Sequence, residues 1–150
     1  MATILTKGTW TYAKHLKLIN REICRTVDDF DKTTILSTPP RHGKSLLVSQ
    51  ILPFWYLVKN PNRRVIFATY SDEFAEGWGR KVRDLFIEWG PTFGVEIRRD
   101  SRAAARWEIA GHGGEYFAVG SGGAITGRGA DLIICDDLIK NAEEALSETV

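Results

Sequence analysis

The sequence predicts an α/β domain built on a largely parallel central sheet. Three observations carry that prediction. Short β-branched apolar runs alternate with longer stretches whose apolar residues recur every three to four positions. Apart from one hairpin, the runs are separated by helix-length segments, which is the spacing of parallel crossovers. Gly43-Lys44-Ser45 follows one run and Asp136-Asp137 ends another, and in such sheets ligands bind beyond the carboxyl ends of the strands.

Taken in order, Trp10, Ala13, Leu16, Ile19, Ile23 and Val27 give residues 10–27 a helical stripe, which Asp28, Asp29 and Asp31 break. Residues 33–37 (TTILS) read as a buried strand, closed by Pro39-Pro40. Residues 46–58 read as a helix that Pro53 should kink, because proline lacks the backbone donor. A turn at 60–62 leads to a second strand over 64–70. Ser71 or Asp72 is placed to cap a helix over 73–89, with Phe74, Trp78, Val82, Leu85 and Phe86 on its inner face and Gly90-Pro91 as its stop. Residues 105–110 and 115–120 flank a glycine-rich turn and predict a hairpin. A glycine-rich segment over 120–129 then enters 131–135, the clearest buried strand, in which Cys135 reads as a small buried hydrophobe. There is no internal repeat.

Bulk properties narrow the function classes. A chain of 150 residues is one domain's worth, and its 43% hydrophobic and 26% charged content excludes disorder. The net charge of +1 carries no information about a polyanionic partner, so any nucleic-acid surface must come from local clustering. Cys24 and Cys135 lack CxxC or Cys/His spacing, which argues against a disulfide scaffold or zinc site and for a reducing compartment. No signal-peptide pattern and no membrane-length apolar run are present, so no membrane partner is expected.

The chemistry concentrates in Thr38-Pro39-Pro40-Arg41-His42-Gly43-Lys44-Ser45. A strand, a tight loop and a helix start would aim backbone N–H groups at phosphate oxygens. Gly43 permits close backbone approach, Lys44 supplies a point charge to the β- and γ-phosphates, and the Ser45 hydroxyl suits Mg²⁺. The first glycine of the usual G-x-x-x-x-G-K-[ST] pattern is replaced by Thr38, and a plain Gly-Lys-Ser turn with a solvated lysine is the competing reading. The acidic end of the later strand decides between them. Asp136 there can hold the Mg²⁺ water shell and Asp137 can orient or deprotonate an attacking water. ATP and Mg²⁺ are the cofactors this pair of motifs calls for. A shorter aspartate at the second acidic position would hold the water less favourably than a glutamate.

With these pieces in place the sequence resembles the ATPase domain of tailed-phage terminase large subunits. TPPRHGKSLL (38–47), LPFW (52–55), VIFATYSDEFAEGWGRKVR (65–83) and GGAITGRGADLIICDDLIKNAEEA (122–145) carry the resemblance, spanning most of residues 35–145. It implies a P-loop NTPase fold of the RecA/ASCE type, a three-layer sandwich incomplete at the carboxyl end. It implies an ATP-driven motor that threads double-stranded DNA into a capsid in the host cytoplasm. A homo-oligomeric ring on a portal, with a small terminase subunit, is the implied assembly. Arg41 is similar to the family's in-loop arginine, with a cis or nucleotide-sensing role. Arg128 is the candidate finger toward a neighbouring subunit's ATP, its alternative being a structural pairing with Asp131 or Asp136. The segment around Trp10, Tyr12 and His15 aligns with the region that packs on adenine, although Trp10 serves equally as a core anchor. His42 and His112 lack ligand-spaced partners and read as solvated or loop-structural.

Arg98, Arg99, Arg102 and Arg106, with Arg80, Lys81 and Arg83 on the preceding helix, form local basic clusters able to contact DNA phosphates, but a solvated face is the plainer reading. The further strand with a coupling motif and the nuclease domain that the resemblance implies are not in the sequence. Residues 1–150 are therefore expected to be an amino-terminal part or a truncated frame, for which ATP binding is the primary expectation. The competing functions are a catalytically weak nucleotide-binding assembly module and a helicase-like P-loop ATPase. DEAD and DEAH signatures are absent, and DDLIK with TGRGAD favours the terminase reading.

Overall fold

A computed structural model describes residues 1–11, 13–29, 32–123, 125 and 127–140. Tyr12, Asp31 and the portions of the 122–145 block at 124, 126 and 141–145 lie outside the described residues. The chain opens with a single helical turn, α1 (Ala2–Leu5), and then α2 (Lys14–Val27), four residues later than the apolar stripe begins. Leu16, Ile19 and Ile23 bury the face that the periodicity marks, while Trp10, Ala13 and Val27 pack on its margin.

The helix after Gly43 is continuous but changes pitch. Leu46–Ile51 is π-helical and runs straight into α3 (Leu52–Lys59), with Pro53 in the first turn of α3. A proline ring clashes with the carbonyl four residues earlier, here Ser49, and supplies no donor to it. A widened turn at that point relieves the clash, and π-bulges of this kind recur at functional sites. The expected kink is thus realised as a π segment.

Among the described residues the sheet has five strands in the order β2-β3-β4-β1-β5: β1 (Arg64–Thr69), β2 (Ile97–Arg102), β3 (Arg106–Ile109), β4 (Glu115–Gly120) and β5 (Leu132–Cys135). β1 pairs in parallel with β4 and β5, whereas β3 pairs antiparallel with β4 and β2 antiparallel with β3. The sheet is therefore mixed rather than largely parallel, because the predicted hairpin (β3-β4) carries β2 onto its outer edge. That edge strand, rich in arginine and exposed along most of its length, has no apolar alternation and was not legible in the sequence.

The main core lies on one face of the sheet. There Val65, Phe67, Tyr116, Ala118 and Ile134 meet Phe54, Leu57, Val82 and Phe86 from the helices. Ile66, Ala68, Phe117 and Val119 point to the other face, where Ile125 and Ala130 of the glycine-rich segment pack on them. Among the described residues this second face carries a loop in the place a three-layer sandwich gives to helices.

Two strand expectations are corrected. Residues 33–37 form no strand, and Ile35 is 90% exposed. β-branched apolar composition favours an extended chain, but a strand also needs a hydrogen-bonding neighbour. No described strand pairs with 33–37, which lies beside α2 through the Thr26–Thr34 hydroxyl contact; a cleft of about 680 Å³ separates it from β5. For the same reason β5 is an edge strand, and Ile133 (60% exposed) and Cys135 are exposed on its second face rather than buried.

α4 (Asp72–Trp89) begins as predicted, with the Ser71 hydroxyl accepting a hydrogen bond from Phe74 N–H. Its buried face is rotated only partway from the expected one: Val82, Leu85 and Phe86 face inward as expected and Trp78 packs on the core's margin, while Ala75 and Gly79 join them and Phe74 is exposed. Gly79 explains the rotation, since a Cβ there would sit 2.2 Å from the Ala104 carbonyl oxygen, and only a bare backbone allows that approach. Gly77, two residues earlier, has nothing within 4 Å of the same position. Gly77→Ala should accordingly stabilise by up to about 1 kcal/mol through helix propensity. Gly79→Ala should destabilise by about 1–3 kcal/mol through overpacking. Paired urea denaturation curves check the opposite signs; equal shifts would contradict the packing of α4 on residue 104.

Candidate functional site

The loop and the acidic strand end converge. Gly43 adopts φ +82°, open to glycine at no steric cost, and lies against Leu16 of α2, which seats the loop on the amino-terminal helix. Arg41 is also left-handed, at φ +62°. The chain becomes helical at Lys44, whose Nζ lies 2.8 Å from Asp136 Oδ1 and 3.5 Å from Asp137 Oδ1. β5 delivers both carboxylates because it pairs in register with β1 up to Cys135, after which Asp136 N–H still donates to the Ala68 carbonyl.

Asp136 and Asp137 have different surroundings. Asp136 is only 5% exposed. Burial is the largest influence on its carboxyl and would raise its pKa, but hydrogen bonds from Lys44, Ser49 and Ser45 outweigh it and hold the group below the usual carboxylate range. The same contact with Asp136 raises the Lys44 ammonium, against partial burial. Asp137 is 64% exposed at its side chain and sits at φ +50°, an uncommon conformation for a non-glycine residue. Its carbonyl accepts from Tyr70 N–H and from the buried Thr69 hydroxyl, so the backbone is fixed while the carboxylate projects outward.

Ser49 was not among the sequence candidates. It is fully buried in the π-helical turn and its hydroxyl donates to Asp136 Oδ2 at 2.6 Å. A serine inside an apolar helical run gives no local signal; only the fold brings it to Asp136.

The donor set suits a Mg²⁺–nucleotide. Ser45 and Asp136 offer hard oxygen ligands, Lys44 a cation for phosphate, and the first N–H groups of the helix have no intrahelical acceptor. Among the described residues no group of three or more His, Cys, Asp or Glu is placed to hold a metal ion. The Thr38 hydroxyl is buried without a hydrogen-bond partner among the described residues. Lys44 and Asp136 border the larger cleft, beside 33–36 and β5. A second cleft of about 300 Å³ lies across the loop, among Trp10, His15, Leu16, Arg41 and His42. His15 Nε2 donates to the His42 carbonyl and His42 Nδ1 to that of Pro40, so both imidazoles brace the loop.

The other candidates are placed apart. Arg128 stacks on Phe117 at 4.1 Å and lies 3.8 Å from Glu115, at the opposite end of the parallel strands from Asp136. At strand rise that is roughly 15 Å along the sheet. It pairs with neither Asp131 nor Asp136: Asp131 accepts from Arg63 and from Arg64 N–H. Of the basic cluster, Arg98 pairs with Asp100 and Glu108, Arg106 with Glu115, and Arg83 with Asp84. Arg80, Arg99 and Arg102 make no ion pair among the described residues, so the surface is partly neutralised rather than uniformly basic.

A family model described as terminase large subunit, T4likevirus-type, N-terminal, matches residues 35–150. The chain belongs to this terminase family. The match begins just before the loop and includes Asp136-Asp137, so the converging motifs both fall inside it. Membership implies a role in viral DNA packaging, with DNA and packaging components as partners. No curated protein and no solved structure matches the chain. No helix among the described residues of this terminase chain is long and apolar enough to cross a membrane.

Proposed function

We propose that this terminase chain binds Mg²⁺–ATP at residues 38–45 and forms the ATP-hydrolysing part of a motor that translocates double-stranded DNA into a capsid. One observation carries the reading: Lys44 bridges the loop to Asp136 and Asp137, uniting the parts that a P-loop NTPase needs from opposite ends of the sequence. In this reading the loop N–H groups and Lys44 hold the phosphates, and Ser45 with Asp136 holds the metal. Mg²⁺, when bound, neutralises charge developing on the γ-phosphoryl oxygens. Asp137, exposed and aimed away from the core, accepts a proton from the attacking water or orients it. Arg41, beside the phosphates, stabilises their charge in cis. The cleft among Trp10, His15 and Arg41 takes the base.

Arg128, far from its own loop, would reach a nucleotide only across a subunit boundary, as in a ring on a portal; its contacts with Phe117 and Glu115 suit a structural role equally. The proposal extends to a P-loop NTPase fold, to a small terminase subunit as partner and to action in the host cytoplasm. The second reading, a nucleotide-binding assembly module, is favoured by the edge of β5, unpaired among the described residues, and by the loop that covers the second face there.

Asp137→Asn separates the two. The motor reading expects ATP affinity within about twofold of wild type, because the residue is exposed, with turnover reduced about a hundredfold or more through loss of proton transfer. Titration calorimetry and phosphate release measure the two quantities. Wild-type turnover in the variant would place water activation elsewhere; no turnover in either protein would favour the assembly module.

A further inference from the structure

We propose that Ser49 is a positioning residue for the metal-binding carboxylate, acting through Asp136; this rests on the Mg²⁺–ATP reading above. The Ser49 hydroxyl is fully buried and donates to Asp136 Oδ2 at 2.6 Å. The other oxygen, Oδ1, faces Lys44. A buried donor on Oδ2 restrains the carboxylate from turning, so Ser49 helps direct Oδ1 to the phosphate side of the site. Groups that fix a metal ligand in this way act by orienting it.

The backbone supports the assignment. Ser49 lies in the π-helical turn, and its carbonyl is the one that the Pro53 ring would strike in a regular helix. The widened turn therefore sets the direction of the residue that grips Asp136. Pro53 thereby acquires a role in the site from one turn further along the helix.

The readout is the ratio of ATP affinities with and without Mg²⁺, measured calorimetrically on the full chain. Ser49→Ala should reduce that ratio about tenfold or more, the usual effect of removing a group that orients a metal ligand. Ser49→Cys keeps the volume and folding but supplies only a weak donor, so it should move the ratio in the same direction and carries the test if the alanine variant does not fold. In an Asp136→Asn background Ser49→Ala should have no further effect, which a general packing role would not produce. An unchanged ratio in both Ser49 variants, with wild type showing a clear Mg²⁺ gain, would overturn the role of Ser49 alone. Absence of ATP binding by wild type would overturn the nucleotide reading and this proposal with it.

Discussion

Lys44→Ala is expected to lower Mg²⁺–ATP affinity by about tenfold to a hundredfold, since a charge-assisted hydrogen bond contributes about 1.5–3 kcal/mol and each 1.4 kcal/mol is a factor of ten. The effect is bounded from above because Lys44 is not idle without nucleotide: it already contacts Asp136 and Asp137. Binding phosphate exchanges part of one anionic partner for another. The substitution also strips Asp136, 5% exposed, of its cation and leaves it the Ser45 and Ser49 hydroxyls. Removing one partner of a buried pair is destabilising, so the thermal midpoint should fall as well. Lys44→Met, which keeps most of the stem packing, separates the consequences: it should lose affinity as fully as alanine. Titration calorimetry, with circular dichroism to verify folding, checks both; wild-type affinity in either variant would remove the loop from the nucleotide site.

Trp107→Ala carries the largest expected effect on stability, about 3–5 kcal/mol, a substantial part of the 5–15 kcal/mol that holds a domain of this kind. Trp107 is fully buried, stacks on Tyr116 with ring centroids 4.9 Å apart and planes 9° from parallel, and meets Phe86 of α4 at 5.0 Å. It thus ties the antiparallel hairpin to the helical layer. Neither its indole N–H nor the Tyr116 hydroxyl has a hydrogen-bond partner among the described residues. Burial alone pushes the Tyr116 phenol pKa upward. Tyr116→Phe should therefore be neutral or mildly stabilising, because it removes an unsatisfied polar atom and keeps the ring. Urea denaturation of the two variants measures the contrast. A large loss in Tyr116→Phe would show that the hydroxyl has a partner.

Local patterns were read correctly where the physics is local. The stripe Leu16, Ile19, Ile23 found α2, Ser71 found the cap of α4, and the runs at 64–70 and 115–120 found β1 and β4. Gly43-Lys44-Ser45 and Asp136-Asp137 stood out as candidates because loop geometry and carboxylate chemistry depend on residue type. Folding brings Lys44 within 2.8 Å of Asp136 and gives Gly43 a positive φ.

What the tertiary structure decided is everything that needs a neighbour from elsewhere in the chain. Residues 33–37 have strand composition but no adjoining strand, so they stay unpaired and Ile35 is exposed. The inner face of α4 turned because Gly79 meets the Ala104 backbone, a contact invisible in helical periodicity. Arg128 stands on Phe117 rather than at the loop because the register of β4 against β1 puts it at the other end of the sheet. Ser49 reaches Asp136 only through a widened helical turn and a strand from far along the sequence. Periodicity and motif chemistry are properties of a few consecutive residues, and the sequence alone determined those. Pairing, crowding and burial are properties of residues distant in sequence, and only folding brings them together.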